Sequence, residues 1–189
     1  ESFLVRRAIV GYEPTGLHAV FKGVWNDIKS NPTVEALKNQ IETHSTVQNP
    51  TDKEVIEAVK SRSLYKARIT QYLIREFDKS IQGDTPKEDF TIEHIMPQTW
   101  IDGDNWSKLI TKEEHKELKD TLANLIPLSG ELNKNVQRDL FDKKRPRYSK
   151  ESMFITARNL SEKWEVWNKD SIHERANLLA KWTIKRWKK

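Results

Sequence analysis

Few residues of this 189-residue chain could do chemistry, and four of them lie between Phe90 and Val136. Glu93 and His94 stand side by side after Phe90-Thr91-Ile92, a run rich in β-formers that stops before Pro97. Asn124 opens a second apolar run, Leu125 to Leu128, and Asn133 follows nine residues later. A histidine has an unperturbed pKa near neutrality, so it can take a proton from water and return it at physiological pH. Taken alone, each residue has an ordinary explanation. A histidine at a strand end is usually a surface or core histidine, Asn124 a turn residue, and Asn133 a solvated helix position. Read one by one, none of the four points to chemistry. His115 and His173 sit in capping segments and read as solvated, and His18 and His44 have no partner constellation. The chain has no cysteine, which excludes disulfides, a cysteine zinc knuckle and a thiol nucleophile.

The elements that must position these residues follow from periodicity and caps. Phe90 to Ile92 reads as one short strand and Leu125 to Leu128 as another, with Pro127 arguing for an edge or a bulge. Ser129 is an N-cap, and Leu132, Val136 and Leu140 recur every four residues behind it. The order is strand, long connection, strand, helix. Thr51-Asp52-Lys53-Glu54, Thr111-Lys112-Glu113-Glu114 and Ser171-Ile172-His173-Glu174 are capping boxes. Other helices are predicted over 2–9, 17–29, 34–42, 64–79, 112–120 and 152–167. Pro146 is expected to end the core helix. A polar loop at 44–50 and a linker at 82–89 complete the layout. Trp100 and Trp106 are expected to pack the long connection. The fold class is mainly α. It divides into an N-terminal helical part (1–85), a core with a helical insert (86–150) and C-terminal helices (151–189).

Glu93-His94-Ile95-Met96-Pro97, then Asn124-Leu125 with Leu128-Ser129-Gly130 and Leu132-Asn133, resembles the HNH (His-Me finger) nuclease core. More closely, the chain is similar to the C-terminal nuclease domain of the GmrSD-like DNA restriction and phage-defence family, and also resembles the SspE-type nicking nuclease domain. The likeness extends to Glu1-Ser2-Phe3-Leu4-Val5-Arg6-Arg7 at the start, and to Glu174-Arg175-Ala176, Leu179-Ala180 and Trp187 at the end. The resemblance implies a ββα-metal core with a small two-stranded sheet inside a helical domain. It implies His94 as general base, Glu93 and Asn133 as metal ligands, and Asn124 as the amide that ties the loop carrying His94. Few oxygen ligands suit Mg²⁺ or Mn²⁺. Glu93 stands where aspartate is more common, which puts its direct ligation in doubt. Asn135 rivals Asn133, but it lies about 200° away around the helix, so both cannot face one metal. With no zinc-binding cysteines, the core must be held by Leu125, Leu128, Leu132 and Val136.

A net charge of +5, with the cations clustered, favours a polyanionic partner. Lys134, Arg138, Lys143, Lys144, Arg145, Arg147 and Lys150 surround or follow the core helix and are candidates for DNA phosphates. Lys181, Lys185, Arg186, Lys188 and Lys189 read equally well as a solvated terminus. No apolar run approaches a membrane span, and the chain is expected to be cytoplasmic. It begins at Glu1 rather than Met, so it reads as part of something longer. The resemblance implies a nucleotide-hydrolysing recognition domain on its N-terminal side. The expected function is a metal-dependent DNA endonuclease or nickase of a restriction or phage-defence protein. The alternatives are a non-catalytic nucleic-acid-binding module of the same fold, or a helical domain docking an acidic protein.

Overall fold

The computed structural model of the chain describes residues 1–44, 47–83, 86 and 88–189. Its elements run α1 (Ser2–Val10), α2 (Leu17–Ile28), α3 (Val34–Thr43), α4 (Asp52–Ser61), α5 (Thr70–Gln82), β1 (Thr91–His94), α6 (Lys112–Leu118), β2 (Leu125–Leu128), α7 (Gly130–Val136), α8 (Phe141–Glu151), α9 (Ile155–Lys163) and α10 (Lys169–Arg186). The fold is mainly helical, with one two-stranded antiparallel sheet. The expected loop at 44–50 and linker at 82–89 lie partly outside the described residues. No helix among the described residues is long and apolar enough to cross a membrane.

Two of the three capping boxes form. Thr51 accepts from the Glu54 amide while Glu54 accepts from the Thr51 amide, which starts α4; Thr111 and Glu114 do the same for α6. Ser129 caps α7 by accepting from Leu132 N. The third box does not form. Asn168 takes that role with an oxygen that accepts from Ser171 N, and Ser171 itself is buried inside α10.

β1 and β2 pair Thr91↔Leu128, Ile92↔Pro127, Glu93↔Ile126 and His94↔Leu125. Pro127 is tolerated because each strand of a two-stranded sheet has a free edge. α7 packs on β1, while α5 and α9 pack on β2. Leu125, Ile126, Leu128, Leu132 and Val136 are all buried in one cluster with Val5, Val55, Trp167, Leu179 and Trp187. That cluster draws on all three stretches into which the sequence divides. A second, smaller one joins Val20, Ile41 and Val47. Buried cations help hold the large core. Arg6 donates to Pro50 O and Trp187 O, and Arg175 Nη1 donates to Ala123 O at 2.5 Å and Leu125 O at 2.9 Å. A charge-assisted bond to a carbonyl is stronger than a neutral one.

Several boundaries differ from expectation for tertiary reasons. α5 starts at Thr70 rather than 64, because the Leu64 and Tyr65 amides turn away to the Asp120 carbonyl. The core helix stops at Val136, and Gln137 reverses the chain at φ 33°. α8 then begins, so Leu140 caps a new helix and Pro146 lies inside it. Residues on both sides of Pro146, Lys144 and Tyr148, bond one buried carboxylate and hold the helix across the missing amide. α9 is shorter than predicted because Ser152 Oγ takes the Phe154 amide just before it. His115 is buried rather than solvated, with a ring nitrogen 2.7 Å from Pro97 O. Trp106 is buried in the long connection, and Trp100 packs against His115.

Candidate functional site

A strand turns successive side chains to opposite faces, and the last two residues of β1 use both. Glu93 points to α8. Its Oε1 accepts from Lys144 Nζ at 2.6 Å and from Tyr148 Oη at 2.8 Å. Lys144 is fully buried and also donates to His94 O at 3.0 Å and Ile95 O at 3.1 Å, so all three ammonium protons are placed. Burial pushes the Glu93 pKa up and the Lys144 pKa down, and each charge resists the shift of the other.

His94 points to the other side. Its Nε2 lies 3.0 Å from Asp120 Oδ1, an oxygen that also accepts from Gln98 Nε2 at 3.2 Å. A carboxylate only accepts, so Nε2 carries the proton and Nδ1 keeps a lone pair. The Tyr65 ring meets the imidazole edge-on, with centroids 4.3 Å apart. Burial pulls the His94 pKa below the ordinary histidine value, and Asp120 opposes it. Burial, the larger effect, favours the neutral imidazole.

Asn124 sits behind this loop, fully buried. Its Oδ1 accepts from Met96 N at 2.8 Å and Trp167 Nε1 at 3.0 Å, and its Nδ2 donates to Met96 O and Lys119 O, each at 2.8 Å. One amide thus ties the segment after His94 to the segment before Asp120. From α7, Asn133 Nδ2 donates to Thr91 Oγ1 at 2.9 Å and to Ile92 O at 3.2 Å. The amide is oriented through its nitrogen, and its carbonyl takes no donor among the described residues. A cleft of about 440 Å³ is walled by Tyr65, Glu93, His94, Asn133, Lys134 and Arg138, among others.

The family model for GmrSD restriction endonucleases, C-terminal domain, matches residues 49–182. The chain belongs to this family. Neither among curated proteins nor among solved structures is there a match. Membership makes the chain a nuclease-type domain of a restriction endonuclease.

In this GmrSD-type domain, the sequence candidates separate into three groups. Glu93, His94, Asn133, Lys134 and Arg138 share the cleft. Asn124 supports it from behind, and Asn135 is exposed without joining its wall. The cations beyond α7 scatter. Lys143 is exposed on a neighbouring cavity of about 380 Å³ that shares Arg138. Lys144 is interior, so it cannot meet DNA where it stands. Arg145 donates to Ser161 O, Arg147 pairs with Glu151, and Lys150 is exposed at the far end of α8. Arg138 itself is held by Asp104 at 2.9 Å and Thr99 O at 3.0 Å.

Sequence reasoning missed Asp120, Tyr65, Gln98 and Tyr148. For Lys144 and Tyr148 a signal existed: Phe141, Lys144 and Tyr148 fall at i, i+3 and i+7, one face of a helix. For Asp120 none did, since 26 residues separate it from His94. Among the described residues, no group of three His, Cys, Asp or Glu could hold a metal ion.

Proposed function

We propose that this domain is a metal-dependent DNA endonuclease that hydrolyses phosphodiester bonds with His94 as general base, nicking one strand per event. The observation that carries it is His94 at a cleft with Asn133, Lys134 and Arg138, its Nε2 3.0 Å from Asp120 Oδ1 and its Nδ1 free of partners among the described residues. The order β1, β2, α7, with His94 ending β1 and Asn133 on α7, supports the HNH ββα reading. Nδ1 takes a proton from water as the oxygen attacks phosphorus, and the 3′ oxygen leaves and takes a proton from solvent water, giving a 5′-phosphate and a 3′-hydroxyl. Lys134 and Arg138 hold backbone phosphates without reading bases. Lys143 extends that track and Lys150 lies further along α8.

The Asn133 carbonyl is the cleft-side oxygen that takes no donor among the described residues, and Glu93, buried against Lys144 and Tyr148, would be a second protein ligand only with that pair opened. Lys144 offsets the charge of the carboxylate. A neutral amide oxygen and a carboxylate neutralised by Lys144 bind a divalent cation weakly, so Mg²⁺ or Mn²⁺ would keep its waters and depend on the substrate phosphate for its hold. Such an ion would neutralise charge on the phosphate and the leaving oxygen. A recognition domain N-terminal to the chain, acting in the cytoplasm with this effector in restriction or phage defence, completes the proposal.

The Lys144–Glu93 pair favours a second reading, a DNA-binding module that keeps the fold without the chemistry. Supercoiled plasmid incubated with Mg²⁺, Mn²⁺ or EDTA decides between them. Open circles that require metal and vanish with His94→Ala support the nickase. Equal cleavage by His94→Ala removes His94 as the base. Salt-sensitive DNA binding with no cleavage under any metal supports the second reading. Neither cleavage nor binding supports a domain that docks an acidic protein.

A further inference from the structure

The geometry points to Asp120 as the positioning residue of His94: its carboxylate selects the imidazole tautomer, and its backbone carbonyl anchors the aromatic ring against the imidazole. The consequence for cleavage rests on the nuclease reading above; the geometry does not.

Two separate contacts of one residue carry this. On the side chain, Oδ1 lies 3.0 Å from His94 Nε2 and accepts from Gln98 Nε2 at 3.2 Å. Among the described residues these are its side-chain partners, so it caps no helix and pairs with no lysine or arginine. On the backbone, Asp120 O accepts from Leu64 N at 2.8 Å and Tyr65 N at 3.2 Å, and Ser63 bridges Thr121 next to it. That pairing sets the chain carrying the Tyr65 ring, which stands 4.3 Å from the imidazole centroid. Asp120 is itself held in place. Lys119 O, just before it, accepts from the same Asn124 amide that bonds Met96, and Thr121 N, just after it, donates to Leu118 O. The base and its orienter therefore hang from one buried amide.

The charged groups around the ring make this carboxylate matter. Lys144 Nζ bonds the His94 carbonyl, and Lys119 Nζ bonds Gln98 O. Both disfavour an imidazolium, and Glu93 is occupied by Lys144. Asp120 is the anion directed at the ring. It stabilises the positive charge His94 gains on taking a proton from water. An orienter of this kind leaves the nucleophilic water to the other ring nitrogen.

The test uses the full 189-residue chain. Long-range ¹H–¹⁵N NMR reads the His94 tautomer in wild type, Asp120→Asn, Asp120→Ala and Asp120→Glu. Plasmid nicking is measured in parallel. In wild type the proton is expected on Nε2. In Asp120→Asn and Asp120→Ala the tautomers mix, and nicking falls about 100-fold with DNA affinity unchanged. Asp120→Glu recovers part of the rate. A wild-type proton on Nδ1, or an Asp120→Asn protein with unchanged tautomer and rate, overturns the assignment. The wild-type tautomer decides even if a variant fails to fold. If wild type does not cleave, the nuclease reading fails on the plasmid while the NMR still decides Asp120.

Discussion

Lys144 belongs by sequence with the basic run after the core helix, yet its ammonium closes on Glu93 in the interior. A buried pair gains little over an apolar pair of the same shape, but removing one partner leaves an unpaired charge that costs about 3–5 kcal/mol. Lys144→Met is expected to lower stability by that amount in urea unfolding, and adding Glu93→Gln to restore much of it. A surface role for Lys144 predicts no such loss. His94 yields a second expectation. Burial depresses its folded pKa, so the unfolded chain binds more protons between the two values. Stability on this account is present above the unfolded value of about 6.5 and falls as pH drops through that window. The acid limb of the nicking rate should accordingly lie below the ordinary histidine range. A limb above it would mean that His94 is not the titrating base.

Local chemistry reaches the elements unevenly. Thr51 and Thr111 start α4 and α6 as their capping boxes predict, since a cap needs only four neighbouring residues. The break between α7 and α8 could not be read that way. Gln137 takes φ 33° and ψ −112°, a conformation unusual for any residue but glycine, and it lines the cleft. Holding a non-glycine residue there costs about 1–3 kcal/mol, and a glycine returns about 0.4–1 kcal/mol of that as chain entropy. Gln137→Gly is therefore expected to raise stability by about 1 kcal/mol, read as a higher thermal midpoint. A lower midpoint would show that the Gln137 side chain matters more than its backbone. The periodic Leu132, Val136 and Leu140 suggested one helix, because periodicity cannot register a reversal that keeps all three residues on the core side.

For the whole molecule, charge and packing decide different things. The family match begins at residue 49, yet Arg6 of α1 reaches Pro50 O and Trp187 O, so α1 shares the core of the matched region. The net charge of +5 is modest, and of the two cations on the cleft wall Arg138 is paired with Asp104, which leaves Lys134 as the cation to test there. Each phosphate contact contributes about 0.9 to the slope of log affinity against log salt. Lys134→Gln is expected to reduce that slope by about 0.9 in a DNA-binding titration. Lys150→Gln, at the far end of α8, tests how far the track runs. An unchanged slope in Lys134→Gln would remove the cleft from the DNA path.

The ordered Glu93-His94, Asn124 and Asn133, the two capping boxes and the apolar stripes made the family and the two-strand, one-helix layout readable without coordinates. The caps and stripes are short-range, and the Glu93-His94, Asn124 and Asn133 motif was readable through its family resemblance. The tertiary structure alone decided which cations face solvent, where Glu93 points and that Asp120 meets His94. Those contacts join residues separated by 26 to 55 positions, and their energies exist only once burial has removed the competing water.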